Sequence, residues 1–460
     1  MKLILLSGGS GKRLWPLSND YRSKQFLKML VSPENKLESM VQRIWRQLGL
    51  SGLLDVTYIS TNNNQADVIQ SQLDTGVPII IEPERRDTFP AIALAAAYLY
   101  SILGVNENEV ITVMPVDPFV ENRFFDKVKD LEWVIRQEDV EIGLIGVNPT
   151  YASTKYGYII PSEKLQIYSK VKGFKEKPSE EQAKRLLTQD ALWNCGVFAF
   201  RLGYMMNQLE ERGLPTQYDE LIQHYGKLPK ISFDYEIVEK AKQIVVIPYN
   251  GYWKDLGTWN TLTDEMQTNI IGRGSMSEDC KGTHIINELD IPVVVVGMSN
   301  LVVATSSDGI LISDKKSSHQ IKEIVKDFDR RPMFEERRWG WYRVLDCKES
   351  PDGTKVLTKR LCVLAGKNIS YQYHHNRSEV WVIVSGEGEF VLDDVISYVK
   401  AGDVLNIPIG GKHGIKAIKE LEMIEVQMGS KLEEDDIVRL FLSWEDMKEE
   451  IEGKRNNTSR

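Results

Sequence analysis

The sequence predicts an α/β protein that gives way to β structure toward its C-terminal end, on three observations. Through residue 262, short Val- and Ile-rich runs alternate with helical patterns. Strands alternating with helices imply a mostly parallel sheet covered on both faces. From about Thr261 the pattern changes to short strands separated by turn residues. From Trp339 to about Gln427 nearly everything reads as strand and turn, which predicts a small all-β barrel or jelly roll. The expected divisions are a sheet domain over residues 1–262, a β-rich connector over 263–330, the barrel over 331–445 and a charged tail over 446–460. The tail is expected to end disordered.

In order, Lys2–Leu6, Asp55–Thr61, Pro78–Glu82, Glu109–Pro115 and Glu141–Val147 read as strands. Leu37–Leu48, Gln65–Leu73, Pro90–Leu103 and Phe125–Gln137 read as the helices between them. Val171–Phe174 and Ile244–Tyr249 are later strands. The connector carries Val293–Val296, Leu301–Ala304 and Gly309–Ile312, with a helix near Gln320–Asp327. Ligands of such sheets sit beyond the carboxyl ends of the strands, so the loops there are the candidate site.

Composition narrows the function. The 460 residues are 42% hydrophobic and 27% charged, ordinary for a soluble globular enzyme. Against 66 acidic residues stand 57 Lys and Arg, a net charge of −9, which disfavours sequence-independent nucleic-acid binding. Cys195, Cys280, Cys347 and Cys362 form no C-x-x-C pair, which points to a reducing compartment and away from a zinc ribbon. The apolar start is too short for a signal peptide. The longest apolar stretch, Ala91–Val105, is interrupted by Ser101 and Gly104 and falls short of a membrane span. A soluble cytoplasmic protein with neither nucleic-acid nor membrane partner is expected.

The first strand runs into Ser7-Gly8-Gly9-Ser10-Gly11-Lys12-Arg13-Leu14-Trp15-Pro16. Glycines let backbone N–H groups approach an anion, and Lys12 and Arg13 add charge. The dinucleotide fingerprint fails at Leu14 and the P-loop fails at Arg13. That failure disfavours an oxidoreductase. A bare strand-to-loop turn is the plain alternative. The following Arg-Leu-Trp-Pro-Leu-Ser run and Ser23-Lys24-Gln25-Phe26-Leu27 weigh against it.

Together these segments resemble the signature of sugar-1-phosphate nucleotidyltransferases, and most closely of mannose-1-phosphate guanylyltransferases. Ser7 and Ser23 stand where that family usually has Ala and often has Pro. Glu82-Pro83-Glu84-Arg85-Arg86-Asp87 through Ala93 resembles the guanine-contacting segment, with Asp87 in place of the usual Asn. Met114-Pro115-Val116-Asp117-Pro118 resembles the Pro-x-Asp-His motif, with Pro118 replacing His. Tyr156-Gly157-Tyr158-Ile159, Glu176-Lys177-Pro178, Trp193 through Phe198 and Trp253 through Trp259 resemble the sugar-side motifs. A Rossmann-like nucleotidyltransferase domain is implied.

The implied reaction is attack by a sugar-1-phosphate oxygen on the α-phosphorus of GTP, with pyrophosphate leaving. The nucleophile is already an anion, so no general base is needed. Catalysis is then positioning and charge stabilisation. The resemblance assigns nucleotide contacts to Ser7, Gly8, Gly9, Ser10, Gly11, Lys12, Glu82, Pro83 and Asp87. It assigns sugar-phosphate contacts to Gly157, Glu176, Lys177 and Asn194. Arg13 and Lys24 are its catalytic cations. Asp117 and Asp255 are its Mg²⁺ pair, in keeping with the preference of Mg²⁺ for carboxylate oxygen.

In the C-terminal part, Gln372 through Trp381 and Gly402 through His413 resemble the two cupin motifs. With Arg338-Trp339-Gly340-Trp341-Tyr342 ahead and Ile424 through Ser430 behind, they resemble a type II mannose-6-phosphate isomerase domain. His375 and Glu379 share strand parity and His413 joins them as a divalent-metal set. A barrel kept for stability or for assembly into a homo-oligomer is the equal alternative. Asn376 and Val380 replace two of the family's histidines, Ala417 replaces an Asn, and the Tyr-Gly-Arg end is absent. Little or no isomerase activity is therefore expected. The alternatives are a bifunctional enzyme, transfer to another sugar-1-phosphate or from another nucleotide, and a nucleotide-sugar sensor without turnover. Arg13, Lys24, Asp117 and Asp255 argue against the sensor.

Overall fold

In the computed structural model, residues 1–9, 11–73, 76–328, 331–433 and 436–458 are described, the side chains of 455–458 apart. The chain divides into two compact units. One comprises Met1–Leu14, Ser23–Asn269 and Asp314–Lys322; the other comprises Trp15–Arg22, Ile270–Ser313 and the chain from Glu323 onward.

The first unit is built on a nine-stranded sheet. Its order is Ile79–Glu82, Thr57–Asn62, Lys2–Leu6, Val110–Pro115, Leu192–Arg201, Ile142–Val147, Ile244–Tyr249, Ser169–Lys175, Tyr158–Lys164. The first four strands are mutually parallel, joined by crossover helices Met40–Leu50, Asn63–Leu73 and Thr88–Ser101. Leu192–Arg201 then runs antiparallel to both its neighbours, and Ser169–Lys175 and Tyr158–Lys164 form an antiparallel pair. The sheet is therefore mixed, where the sequence pattern suggested mostly parallel. Beyond residue 147 a short connection joins Tyr158–Lys164 and Ser169–Lys175 as an antiparallel hairpin. Leu192–Arg201 enters the sheet reversed between Val110–Pro115 and Ile142–Val147.

Apolar clusters cover both faces of this sheet. All six residues of Ile142–Val147 are buried, the mark of a strand covered on both sides. The Ala91–Val105 stretch lies largely in helix Thr88–Ser101, which is buried from Phe89 through Ala97 and again at Leu99. It is a core helix. No helix among the described residues is long and apolar enough to cross a membrane.

In the second unit, short parallel strands come first: Ile270–Ile271 beside His284–Asn287 beside Leu301–Ser306, and Gly274–Met276 beside Val293–Val295. Two antiparallel sheets follow. Six strands from Phe334–Arg337 to Leu421–Gly429 form one, and five strands from Asn368–His374 to Ile437–Phe441 form the other. Arg377–Ser385 and Leu421–Gly429 alternate buried and half-buried residues along their length. This turns Trp381, Ile383, Leu421 and Met423 into a shared core with Phe390 and Ile415.

The charged tail is helical through residue 458, and its last two residues, where disorder was expected, lie outside the described residues. Trp444–Thr458 is a helix. Trp444, Met447 and Ile451 are buried together with Tyr371 and Val391. Their spacing of three and four residues makes one apolar stripe, and that stripe overrides the high charge around it.

Candidate active site

Two loops far apart in sequence meet through a short ladder. Strand Val110–Pro115 delivers Asp117 just past its carboxyl end. The next residues, Pro118–Val120, pair antiparallel with Trp253–Asp255, and the register sets Asp255 opposite Pro118. Lys24 Nζ lies 2.8 Å from Asp117 Oδ2 and 3.2 Å from Asp255 Oδ1. Burial works against this ammonium, but the two carboxylates outweigh it and hold Lys24 above the ordinary lysine range. Burial likewise would raise Asp255, yet Lys24, then Arg13 and Lys155, keep its carboxyl below the usual range. Gly257 gives the carboxylate room, since a Cβ there would stand 2.8 Å from Asp255 Oδ2. Two hard carboxylates converge on one cation position, filled here by an ammonium. That donor set fits Mg²⁺.

Two cavities meet at this point. One, of about 290 Å³, is lined by Gly8, Gly9, Lys24, Glu82, Asp87 and Asp117 among others. The second, of about 210 Å³, is lined by Lys155, Gly157, Glu176, Asn194, Trp253 and Asp255 among others. Pro115, Asp117, Gly196 and Asp234 line both.

The glycine loop is fixed from below. Ser7 N–H donates to Ser60 O, Thr61 Oγ1 donates to Ser7 O, and Ser23 Oγ donates to Gly9 O at 2.6 Å. Ser23 thus pins the turn by hydrogen bonding. Gly8 sits against Glu82, 3.4 Å from where its Cβ would be. Glu82 is buried, accepting from Tyr225 Oη at 3.0 Å and Ser60 Oγ at 3.3 Å. Burial pushes its carboxyl up, partly offset by those bonds and by Arg85. Asp87 caps helix Thr88–Ser101 by accepting from Thr88 N–H, and still lines the cavity. Lys12 and Arg13 form a tight turn after Gly11, with Arg13 exposed. Pro83 is exposed and Ser10 lies outside the described residues.

In the second cavity, Glu176 is buried and Lys177 Nζ bonds its Oε1 at 2.7 Å. Its buried Oε2 has no hydrogen-bond partner. Gly157 is required beside it, because a Cβ there would collide with that oxygen. Asn194 N–H donates to Gly157 O, and Gly196 N–H donates to Asn194 Oδ1 at 3.0 Å. Lys177 lies half exposed outside the lining, whereas Lys155 is in it. The motif reading passed over Lys155 and Asp234, whereas Arg85, Arg86 and Gln25, which line the larger cavity, stood inside its motifs without a role of their own.

The C-terminal sheets hold a second cluster: His374, Glu379 and His413, all buried, with ligand atoms within 4.8 Å of one another. His375 is not part of it. It lies exposed at the turn, edge-on to Tyr373. One strand ends at His374 and the next begins at Arg377, so a two-residue turn resets the parity. Asn376 is in that turn, bonded to Asp436, and Val380 alternates away from Glu379. His413 Nδ1 donates to Gly411 O at 2.9 Å, and its Nε2 lies 3.5 Å from Glu379 Oε2. That buried Nε2 has no hydrogen-bond partner. Burial would raise Glu379, but His374 and His413 hold it well below the carboxylate range. Two imidazoles and a carboxylate, one imidazole fixed by a backbone carbonyl, fit a divalent metal.

A carboxylate pair with a lysine between thus stands where the two cavities meet. Residues 2–270 match the nucleotidyl transferase family, and residues 329–441 match the mannose-6-phosphate isomerase C-terminal family. The alginate biosynthesis protein AlgA of Pseudomonas aeruginosa is 30% identical, over 95% of this chain and 95% of that protein. Mannose-1-phosphate guanylyltransferase 2 of Escherichia coli O157:H7 is 30% identical, over 95% and 96%. Mannose-1-phosphate guanylyltransferase RfbM of Salmonella typhimurium is 29% identical, over the same shares. A crystal structure described as mannose-1-phosphate geranyltransferase from Thermus thermophilus superposes with a TM-score of 0.60 at 28% identity, covering 71% of this chain and 98% of that one. The chain belongs to the nucleotidyl transferase family, with an isomerase-like C-terminal segment.

Proposed function

We propose that residues 1–262 transfer GMP from GTP to mannose-1-phosphate, giving GDP-mannose and pyrophosphate in the cytoplasm. The carrying observation is the Lys24–Asp117–Asp255 cluster where the two cavities meet. The larger cavity takes the nucleotide, with Glu82 and Asp87 facing the guanine edge and the glycine turn facing the phosphates. The smaller takes the sugar phosphate, with Glu176 and Asn194 toward its hydroxyls and Lys155 and Lys177 as the nearby cations. Asp117 and Asp255 would hold Mg²⁺, which supplies Lewis-acid charge neutralisation at the phosphates. Arg13 and Lys24 hold the triphosphate oxygens as charge develops. The names of the relatives support the choice of nucleotide and sugar. Measuring pyrophosphate release over a grid of nucleotides and sugar-1-phosphates tests this. Faster turnover with ATP or UTP than GTP defeats the base assignment, and preference for glucose-1-phosphate defeats the sugar assignment.

In the second unit, His374, Glu379 and His413 would hold a divalent metal. Isomerase activity there is expected to be weak. Asn376 and Val380 do not explain it, because both lie off the inward face. The reason is instead the phosphate clamp. Arg377 is committed to Glu379 Oε1 and Glu433 O, both at 3.0 Å, and Lys359 faces Glu425 at 3.7 Å.

A further inference from the structure

Asp234 belongs to none of the sequence motifs, yet it lines both cavities. Its Oδ1 accepts from Asn194 Nδ2 at 2.7 Å. Asn194 Oδ1 is taken by Gly196 N–H. The amide orientation is thus fixed twice, by an acceptor at its nitrogen and a donor at its oxygen. One amide N–H remains for a ligand. Asp234 is itself held rigidly. It sits in the short helix Phe233–Glu236, where Ser232 caps by accepting from Tyr235 N–H. Phe233 N–H donates to Thr88 Oγ1 at 2.8 Å, and Phe89 N–H donates to Ile231 O. This turn therefore ties the wall of the nucleotide cavity to the polar wall of the sugar cavity.

We propose that Asp234 is a positioning residue that sets sugar specificity, by holding the Asn194 amide so that it presents a donor to a hydroxyl of the sugar-1-phosphate. This rests on the assignment of the smaller cavity to the sugar. Glu176 completes the wall as an acceptor, with its buried Oε2 unpartnered. Burial first, and then the charge of Glu176, push the Asp234 carboxyl up to about 7, against Lys177 and the Asn194 bond. The wall thus offers the Asn194 amide N–H as a donor and the Glu176 and Asp234 carboxyl oxygens as acceptors, as a polyol needs.

The test uses the full chain with D234A, D234L and N194A. Initial rates give KM for GTP and for mannose-1-phosphate, and kcat/KM for mannose-1-phosphate against glucose-1-phosphate. D234A is expected to raise the sugar KM about 10- to 100-fold, the weight of a hydrogen bond to a charged group. The GTP KM should move less than about 3-fold, and sugar discrimination should fall about tenfold. The double variant D234A/N194A should be hardly worse than N194A, because residues acting through one another are non-additive. An equal rise in both KM values, additive effects or unchanged discrimination overturns the proposal. If D234A melts below the assay temperature, D234L fills the space without an acceptor and carries the same measurements. A wild-type chain that releases no pyrophosphate with any pair overturns the transferase reading, and this inference with it. An active wild type with unchanged discrimination in D234A overturns this inference alone.

Discussion

Lys24 Nζ lies 2.8 Å from Asp117 Oδ2, with Asp255 on its other side. The ammonium therefore stands between the two carboxylates proposed to hold a metal ion, and it neutralises both. On the proposed reading, a metal would displace Lys24 from the pair, and the triphosphate is the anion that would receive its charge.

Removing that ammonium should open the metal position. K24M is expected to bind Mn²⁺ without nucleotide about tenfold or more tightly than wild type, which corresponds to about 1.4 kcal/mol. Electron paramagnetic resonance of free Mn²⁺ reads this directly. Single-turnover kinetics of K24M, and of R13A, should show the chemical step slowed more than GTP binding is weakened. Equal Mn²⁺ affinity in K24M and wild type would show that the lysine does not compete with metal.

Asp117→Asn and Asp255→Asn keep shape and remove charge. Each should lower turnover on the order of 10²-fold or more, since both act on transition-state charge. Circular dichroism should show the fold retained. Wild-type rates in both variants at saturating Mg²⁺ defeat the metal assignment.

What the sequence could and could not reveal follows from how each residue is placed. Asp117 and Asp255 were legible because motifs carry them in loops after strands. Their adjacency was implied by the resemblance alone, because it depends on a three-residue ladder with no pattern of its own. His374 was missed for a one-residue reason: parity counts hold along a strand, and a turn interrupts this one. Asp234 had no signal, being placed by Thr88 and Asn194 from distant segments. In the tail, Trp444, Met447 and Ile451 gave a helical stripe that the surrounding charge obscured.

The Asp234 carboxyl, raised from 3.8 to about 7 by burial and Glu176, makes stability depend on pH. The folded state holds this proton more tightly than the unfolded chain. Its contribution is therefore fully present below the ordinary Asp range and is lost as pH rises through about 7. Urea midpoints of wild type should fall between pH 5 and pH 8 by more than those of D234N, whose amide does not titrate there. A difference between the two proteins that is the same at both pH values removes Asp234 as the source.

The histidines separate cleanly. H374A and H413A should each lose the divalent metal, since a ligand set with one member missing binds far more weakly, whereas H375A should retain it. Metal content after dialysis, read by mass spectrometry, decides between His374 and His375. Loss in H375A with retention in H374A would reverse the assignment.

The last expectation is that the metal-loaded C-terminal sheets isomerise sugar phosphates poorly. Moving a proton between adjacent carbons needs a polarising metal, an acid–base group and a grip on the phosphate. The first is offered by His374, Glu379 and His413. The second is offered by Glu425, which burial and the Glu379 charge push up to about 7, beside Lys359. The third is where the site falls short. Arg377 donates to Glu379 and to Glu433 O, with its Nη2 3.4 Å from His374 Nε2, and Lys359 is paired with Glu425. The Tyr-Gly-Arg end of the resembled isomerases, which would add a cation, is replaced by Leu440-Phe441-Leu442. Without a phosphate grip, binding energy from the non-reacting end of the substrate is lost, and with it both KM and kcat. Purified protein supplied with Zn²⁺, Co²⁺ or Mn²⁺ should convert fructose-6-phosphate to mannose-6-phosphate at under about one hundredth of its transferase turnover, a loss of the size expected when one member of a working set is gone. Conversion at a comparable rate would show that Arg377 or Lys359 exchanges its carboxylate for substrate phosphate, and would make the chain bifunctional.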